Sequence, residues 1–250
     1  MRSKLPLQHC IPLQSSPNFA NCSATFNIPP LGRQINVPSD YDPNVQLTRL
    51  QTLIQTLQSP TNFSTQSGSY PKAIQWTSTT LATIVVDYSQ LTNDNQYFTN
   101  VVQFHKKQPV FSLLTQMYDD KQWVVLTWLR AATYAGIHAP EWVIPFLARA
   151  KFFYNLVTPG WNTSTCGGGM RWGPFNGYKN SVTTELFIAT SVGMYEAFGT
   201  QSYLDSAIKA WVWFKNSGLI NAQGLVNDGL TNTCQYFPCE AGLIVGITDR

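Results

Sequence analysis

Tyr118-Asp-Asp-Lys-Gln-Trp-Val-Val-Leu-Thr-Trp-Leu129 leads from an acidic pair into a stretch that is apolar nearly all the way round a helix. A helix without a polar face is packed on both sides, so this one belongs to the inside of a layered helical fold. Phe187-Ile-Ala-Thr-Ser-Val192 reads the same way. Outward from these two, apolar residues recur at helical spacing. Leu47, Leu50, Leu53, Ile54 and Leu57 share a face over 44–57, and Ile74, Leu81, Ile84, Val85 and Tyr88 follow on a helix opened by Pro71. Asn93-Asp94 is a cap signal for a third helix, which holds Tyr97, Val101, Val102 and Phe104. Further helices are expected over 121–136, 140–157, 181–198 and 202–216, with Pro140 in a first turn and Gly136, Gly199 and Gly218 at the stops. Only Met170-Arg-Trp172 and Leu225-Val226 suit short ribbons. The pattern is all-α, a toroid or bundle of helical hairpins, with no short fixed repeat. Two long glycine-rich loops, 159–178 and 218–229, are where function is expected.

The chain has 250 residues, 44% of them apolar and 13% aromatic, which is ample for a core. Only 12% are charged, and the net charge is +3. Its densest basic spot is His105-Lys-Lys107, so the basic stripe that nucleic-acid binding needs is missing. No stretch reaches the ~18 apolar residues of a membrane-spanning helix. The first ten residues carry positive charge without the apolar core of a signal peptide. Low charge and glycosylation sequons at Asn21, Asn62 and Asn162 nevertheless lean toward an extracellular or cell-wall protein. Five cysteines (Cys10, Cys22, Cys166, Cys234, Cys239) permit two disulfides and leave one thiol over. Three regions are expected: an irregular segment 1–40, a helical domain 41–234 and an atypical tail 235–250.

Several chemistries lack their residues. No Gly-x-Ser-x-Gly elbow occurs, the three histidines have no metal-binding spacing, and Gly167-Gly-Gly169 has no Gly-Lys-Ser/Thr after it. Zinc and nucleotide chemistry are therefore not supported. Among the thirteen carboxylates, Asp119-Asp120 is the adjacent pair that stands ahead of a buried-looking helix. A structural reading makes Asp120 the cap of that helix and Asp119 a solvated neighbour. A functional reading makes them the two carboxyl groups of a retaining glycosidase, which lie about 5–5.5 Å apart. Such closeness also raises one pKa, as a general acid requires. Tyr118, Trp123 and Trp172 could offer aromatic faces to sugar rings, although aromatic clusters are more often core.

Four blocks, taken in order, resemble glycoside hydrolase family 76, the endo-α-1,6-mannanases, and are closest to its fungal members. They are Tyr118-Asp-Asp-Lys-Gln-Trp123, Cys166-Gly-Gly-Gly-Met-Arg-Trp172, Tyr178-Lys-Asn-Ser-Val-Thr-Thr-Glu-Leu-Phe187, and the stretch from Trp213-Phe to Gly224-Leu-Val-Asn-Asp-Gly229. The resemblance covers roughly 40–234. It implies an (α/α)6 barrel acting with retention on α-1,6-linked mannose backbones, with Asp119 as nucleophile and Asp120 as acid/base. It implies further that Gly167 and Gly168 let the backbone approach the sugar, and that Trp172, Asn180 and Glu185 line the cleft or fix its loops. The family also includes cell-wall proteins thought to transfer mannose-containing GPI-anchor glycans, so transfer stands beside hydrolysis, and the resemblance implies no metal or organic cofactor.

The sequence departs from the family at Thr184, where an asparagine is usual, and after Cys234, where the familiar pattern stops. Twelve helices at ~30 residues each need about 350 residues, against about seven helices expected here. The barrel is therefore expected to be incomplete, the product of a truncated chain, and a non-catalytic glycan-binding fragment is the alternative to an enzyme.

Overall fold

The computed structural model describes residues 42–175, 177–222 and 224–237. Seven α-helices are found among them: α1 (Pro43–Leu57), α2 (Gln75–Thr92), α3 (Phe98–Lys107), α4 (Tyr118–His138), α5 (Val143–Val157), α6 (Ser181–Phe198) and α7 (Gln201–Asn216). The segment 1–40, most of the tail 235–250, and Cys10, Cys22 and Cys239 lie outside the described residues, as does Asn21.

α2, α4 and α6 pack side by side with α4 in the middle, and each is backed by the helix that follows it. This alternation of inner and outer helices is the layering of an (α/α)6 barrel. It explains the all-round apolar stretch, because α4 buries Val124, Val125, Trp128, Ala131, Ala132 and Ala135 against neighbours on both sides. Trp128 is the pivot, stacked on Phe104 at 5.8 Å and on Phe146 at 5.5 Å. Truncating so large a buried ring would cost about 3–5 kcal/mol. Small hydroxyl residues hold the inner helices together: Thr83 and Thr127 share a hydrogen bond of 2.9 Å, and the Gln122 amide donates to the Thr183 carbonyl at 3.0 Å. Short side chains of this kind satisfy their hydroxyls on nearby backbone and let helices approach closely.

Several boundaries differ from the sequence reading. α1 fully buries Ile54 alone, with Leu50 and Leu57 packed partly buried against the core, while Leu53 is 67% exposed, so its apolar stripe is only partly covered. Asn93 ends α2 in the left-handed conformation rather than opening α3, and Asp94 accepts hydrogen bonds from Tyr88 and from the Gln96 amide. Gly136 does not stop α4, which runs on to His138, while a 3-10 turn at Pro140–Trp142 precedes α5. Three two-residue strands were not anticipated: β1 (Lys179–Asn180), β2 (Gly229–Leu230) and β3 (Tyr236–Phe237) form an antiparallel sheet in that order. Met170 and Val226, by contrast, make only isolated bridges to Trp161 and Ile220. A two-residue strand is too short to show a period in the sequence.

Candidate active site

α4 begins three residues earlier than its periodicity suggests, so Asp119 and Asp120 lie inside its first turn. The N-cap is Met117 and no side chain caps it, which removes the reading of Asp120 as a cap. Both carboxyls sit where the helix dipole favours negative charge. Asp119 Oδ1 accepts from the Asp120 amide at 3.0 Å, and its Oδ2 accepts from the Trp172 indole Nε1 at 3.0 Å. Burial raises the pKa of Asp119, and the charge of Asp120 raises it further, against the pull of those two donors. Burial also raises Asp120, opposed by the Thr115 hydroxyl and the Lys121 ammonium. Lys121 is itself buried, donates to the Gln116 and Met117 carbonyls at 3.1 Å, and lies 5.1 Å above the Tyr118 ring.

Trp172 reaches the dyad from the long loop between α5 and β1. Its backbone is fixed from two sides: its carbonyl accepts from the Tyr118 amide at 2.9 Å, and its amide donates to the Tyr178 carbonyl at 2.8 Å. Its ring meets Tyr178 edge-on at 6.4 Å, and the Tyr178 hydroxyl donates to Asp228. Burial pushes the Tyr178 phenol upward, and Asp228 adds to the shift. The loop behind Trp172 is pinned by Lys179, whose ammonium donates to the carbonyls of Asn162 (2.9 Å), Thr165 and Gly168. Burial and the nearby Arg171 charge bring that ammonium down to about 8. A Cys166–Cys234 disulfide joins the loop to the turn before β3.

The glycine run is explained by a protein side chain. Gly168 and Gly169 adopt φ of +143° and +103°, and a Cβ on them would lie 2.7 and 2.5 Å from the Trp213 indole. Trp213 in turn donates Nε1 to the Cys166 carbonyl at 2.9 Å. Gly168 is thus buried against Trp213 rather than turned toward a cleft, whereas Gly167 is exposed.

Other expected site residues divide similarly. Tyr118 is buried under Gly160 and Lys121, so its ring is not an open platform. Asn180 is the N-cap of α6, its side-chain oxygen taken by the amide and hydroxyl of Thr183. Trp123, one turn after Asp119, stacks on Trp76 at 6.1 Å. It lines a cavity of about 1040 Å³ along the inner helices, together with Thr80, Thr83, Leu126, Ala189 and Glu196. Glu185 lies one turn before Ala189 on α6, its Oε1 buried without a hydrogen-bond partner among the described residues and its pKa raised by burial. Sequence reasoning missed Lys179 and Trp213 as loop anchors, although both stand within the quoted blocks. Among the described residues no three His, Cys, Asp or Glu side chains gather to hold a metal ion, and no helix is long and apolar enough to cross a membrane.

The model of Glycosyl hydrolase family 76 matches residues 47–238. The chain belongs to that family. Among curated relatives, it is 27% identical over 135 residues to the mannan endo-1,6-alpha-mannosidase DCW1 of Candida albicans, a match covering 50% of this chain and 30% of that protein. With the mannan endo-1,6-alpha-mannosidase DFG5 of Saccharomyces cerevisiae it shares 33% identity, over 40% of this chain and 22% of that one. Its fold is similar to an inactive variant of the alpha-1,6-mannanase GH76A of Salegentibacter sp. HEL1_6, in which two adjacent aspartates are replaced by alanine, in complex with alpha-1,6-mannotetrose. There the TM-score is 0.64 at 18% identity, covering 76% of this chain and 57% of that one. Dfg5 from Chaetomium thermophilum, in complex with glucosamine, aligns with a TM-score of 0.61 at 20% identity, over 74% and 51% of the two chains. These solved structures are (α/α)6 barrels, and the present chain spans a little over half their length.

Proposed function

We propose that the chain carries the catalytic centre of an endo-acting glycosidase that cleaves α-1,6-mannosidic linkages with retention. The observation that carries this reading is the Asp119–Asp120 pair in the first turn of an inner helix, with the Trp172 indole donating to Asp119. The resemblance makes Asp119 the nucleophile that attacks the anomeric carbon, and its two donors offset part of the rise that burial and the Asp120 charge impose on its pKa. Asp120, raised by burial, delivers a proton to the departing O6. The C1–O6 bond breaks as the Asp119–C1 ester forms. Asp120, now ionised, takes a proton from water, whose hydroxyl displaces Asp119 from C1 and restores the first configuration. Trp123 over the inner cavity and the unpartnered Oε1 of Glu185 are the groups we assign to sugar contacts, one to a ring face and one to a hydroxyl.

Support comes from the mannotetrose complex of the Salegentibacter mannanase, whose adjacent aspartates are replaced in its inactive form, and from the names of the fungal relatives. The same covalent intermediate can pass to a sugar hydroxyl instead of water. Transfer in an extracellular or cell-wall setting is therefore the second reading, and the likeness to a Dfg5 solved in complex with glucosamine is consistent with an amino sugar near such a site. The test is product formation from linear α-1,6-mannooligosaccharides, wild type beside Asp119→Asn. Shorter products from the wild type alone support hydrolysis, and longer products with added acceptor support transfer. No products from either sink the proposal for this chain.

A further inference from the structure

Lys179 is wholly buried, and its three hydrogen bonds all go to backbone carbonyls of one loop, at Asn162, Thr165 and Gly168. An ammonium is a costly thing to bury, and one so placed has to be held by its acceptors. Both of its neighbours in the chain are also committed. The Tyr178 carbonyl accepts the Trp172 amide at 2.8 Å, and Asn180 caps α6. β1 also pairs with β2, Lys179 standing opposite Leu230. The ammonium therefore draws the first half of the loop toward β1, and the Tyr178 carbonyl, just before that strand, holds the second half at Trp172.

We infer that Lys179 is a positioning residue: its ammonium fills the centre of the Asn162–Gly168 loop and so keeps the Trp172 indole against Asp119. Without the three donors, the carbonyls converge on a space that offers them nothing, and the loop relaxes toward water. Trp172 then loses its register with Tyr178, and the indole leaves Asp119. The Cys166–Cys234 disulfide and Trp213 hold the same loop at Cys166, so changing Lys179 loosens the loop without detaching it. Lys179 touches neither carboxylate in the hydrogen bonds it makes, so its effect reaches the reaction through Trp172. The catalytic consequence rests on the function proposed above; the geometric one does not.

The experiment uses full-length chain labelled with 15N at its eight tryptophan indoles. The Trp172 resonance is assigned by its loss in Trp172→Phe, and its bond to Asp119 by its movement in Asp119→Asn. In Lys179→Met, which keeps the stem and removes the donors, the Trp172 indole N–H is expected to exchange with water about tenfold faster or more, while the Trp128 resonance keeps its place. kcat falls about tenfold with KM within roughly twofold, because the loss is of transition-state positioning. Adding Lys179→Met to Trp172→Phe then costs nothing further in kcat. An unmoved, still protected Trp172 resonance overturns the inference, and so do losses that multiply in the double variant. If Lys179→Met fails to fold, Lys179→Arg replaces it, since a planar fork keeps the charge but cannot serve three converging carbonyls. A wild type that releases no mannan products defeats the proposed function while leaving the indole readout to decide on Lys179.

Discussion

Trp172 and Asp119 stand 53 residues apart in the chain and meet at 3.0 Å, indole nitrogen to carboxylate oxygen. The aromatic residue expected to face a sugar thus serves one of the two acids. The residue remains 36% exposed, so the two duties are compatible.

Removing only the donor isolates that contact. Trp172→Phe keeps an apolar ring and is expected to lower kcat about tenfold, the worth of one charge-assisted hydrogen bond of ~1.5 kcal/mol. The donor holds Asp119 down, so its loss raises that pKa further. A pH profile of kcat/KM should therefore show the acidic limb moved to higher pH, with activity failing sooner as pH falls. An unmoved limb would count against the contact.

Either Asp119→Asn or Asp120→Asn should lower kcat by roughly 10³-fold or more, as losing a nucleophile or its proton donor does. Both variants should also melt higher than the wild type at pH 7. Each carboxyl has a folded-state pKa above its ordinary value, mainly through burial. The stability such a group contributes is complete below its unfolded pKa and is lost as pH rises through the folded one, so at pH 7 the ionised pair is a net cost. Calorimetry should show the gap in Tm between variant and wild type closing as pH falls toward about 4, at about 2–4 °C per kcal/mol for a chain of this size. A variant that melts lower at pH 7 would contradict the charge argument.

Gly169→Ala places a methyl group 2.5 Å from the Trp213 indole at a φ of +103°. Strain and overlap together are expected to cost about 2–4 kcal/mol. Gly167→Ala, at a φ of +67° with open space around it, should cost about 1 kcal/mol. Thermal unfolding of the two side by side separates a packing glycine from a merely conformational one.

Cys166 and Cys234 close a stretch 68 residues apart in sequence. Chain entropy places the stabilisation at up to about 4 kcal/mol, so reduction or Cys166→Ser should lower Tm by several degrees. Activity is expected to fall with it, since the bond anchors the loop that carries Trp172. A reduced protein with unchanged Tm and turnover would show the tether to be idle.

The inner helices were legible because they are long and apolar on two sides, and α4 and α6 are found within a few residues of where their patterns place them. The aspartate pair stood out as adjacent carboxylates ahead of a buried-looking helix, within a block that resembles the family, although spacing alone left a capping role open. What the sequence hid are relations between distant loops. The β1–β2–β3 sheet is too short for a period, and Asn180 looks like a cleft amide until Thr183 is seen to occupy it. The glycine run announces close approach without saying to what, and the answer is Trp213, some 45 residues on. The unsatisfied Glu185 oxygen has no signature in the sequence at all.

The order in which these parts leave the ribosome also matters. A nascent chain ending near residue 160 already holds both aspartates on α4, but neither Trp172, nor Lys179, nor the cysteine at 234 has been made. A compact unit generally folds as a whole, and Pro43–Arg250 form one unit, so the acid pair reaches its final surroundings only after the parts that tune it have been made. The candidate site is thus completed from its carboxyl-terminal side: the aspartates are made first, and the cysteine that ties down the loop beside them is made last.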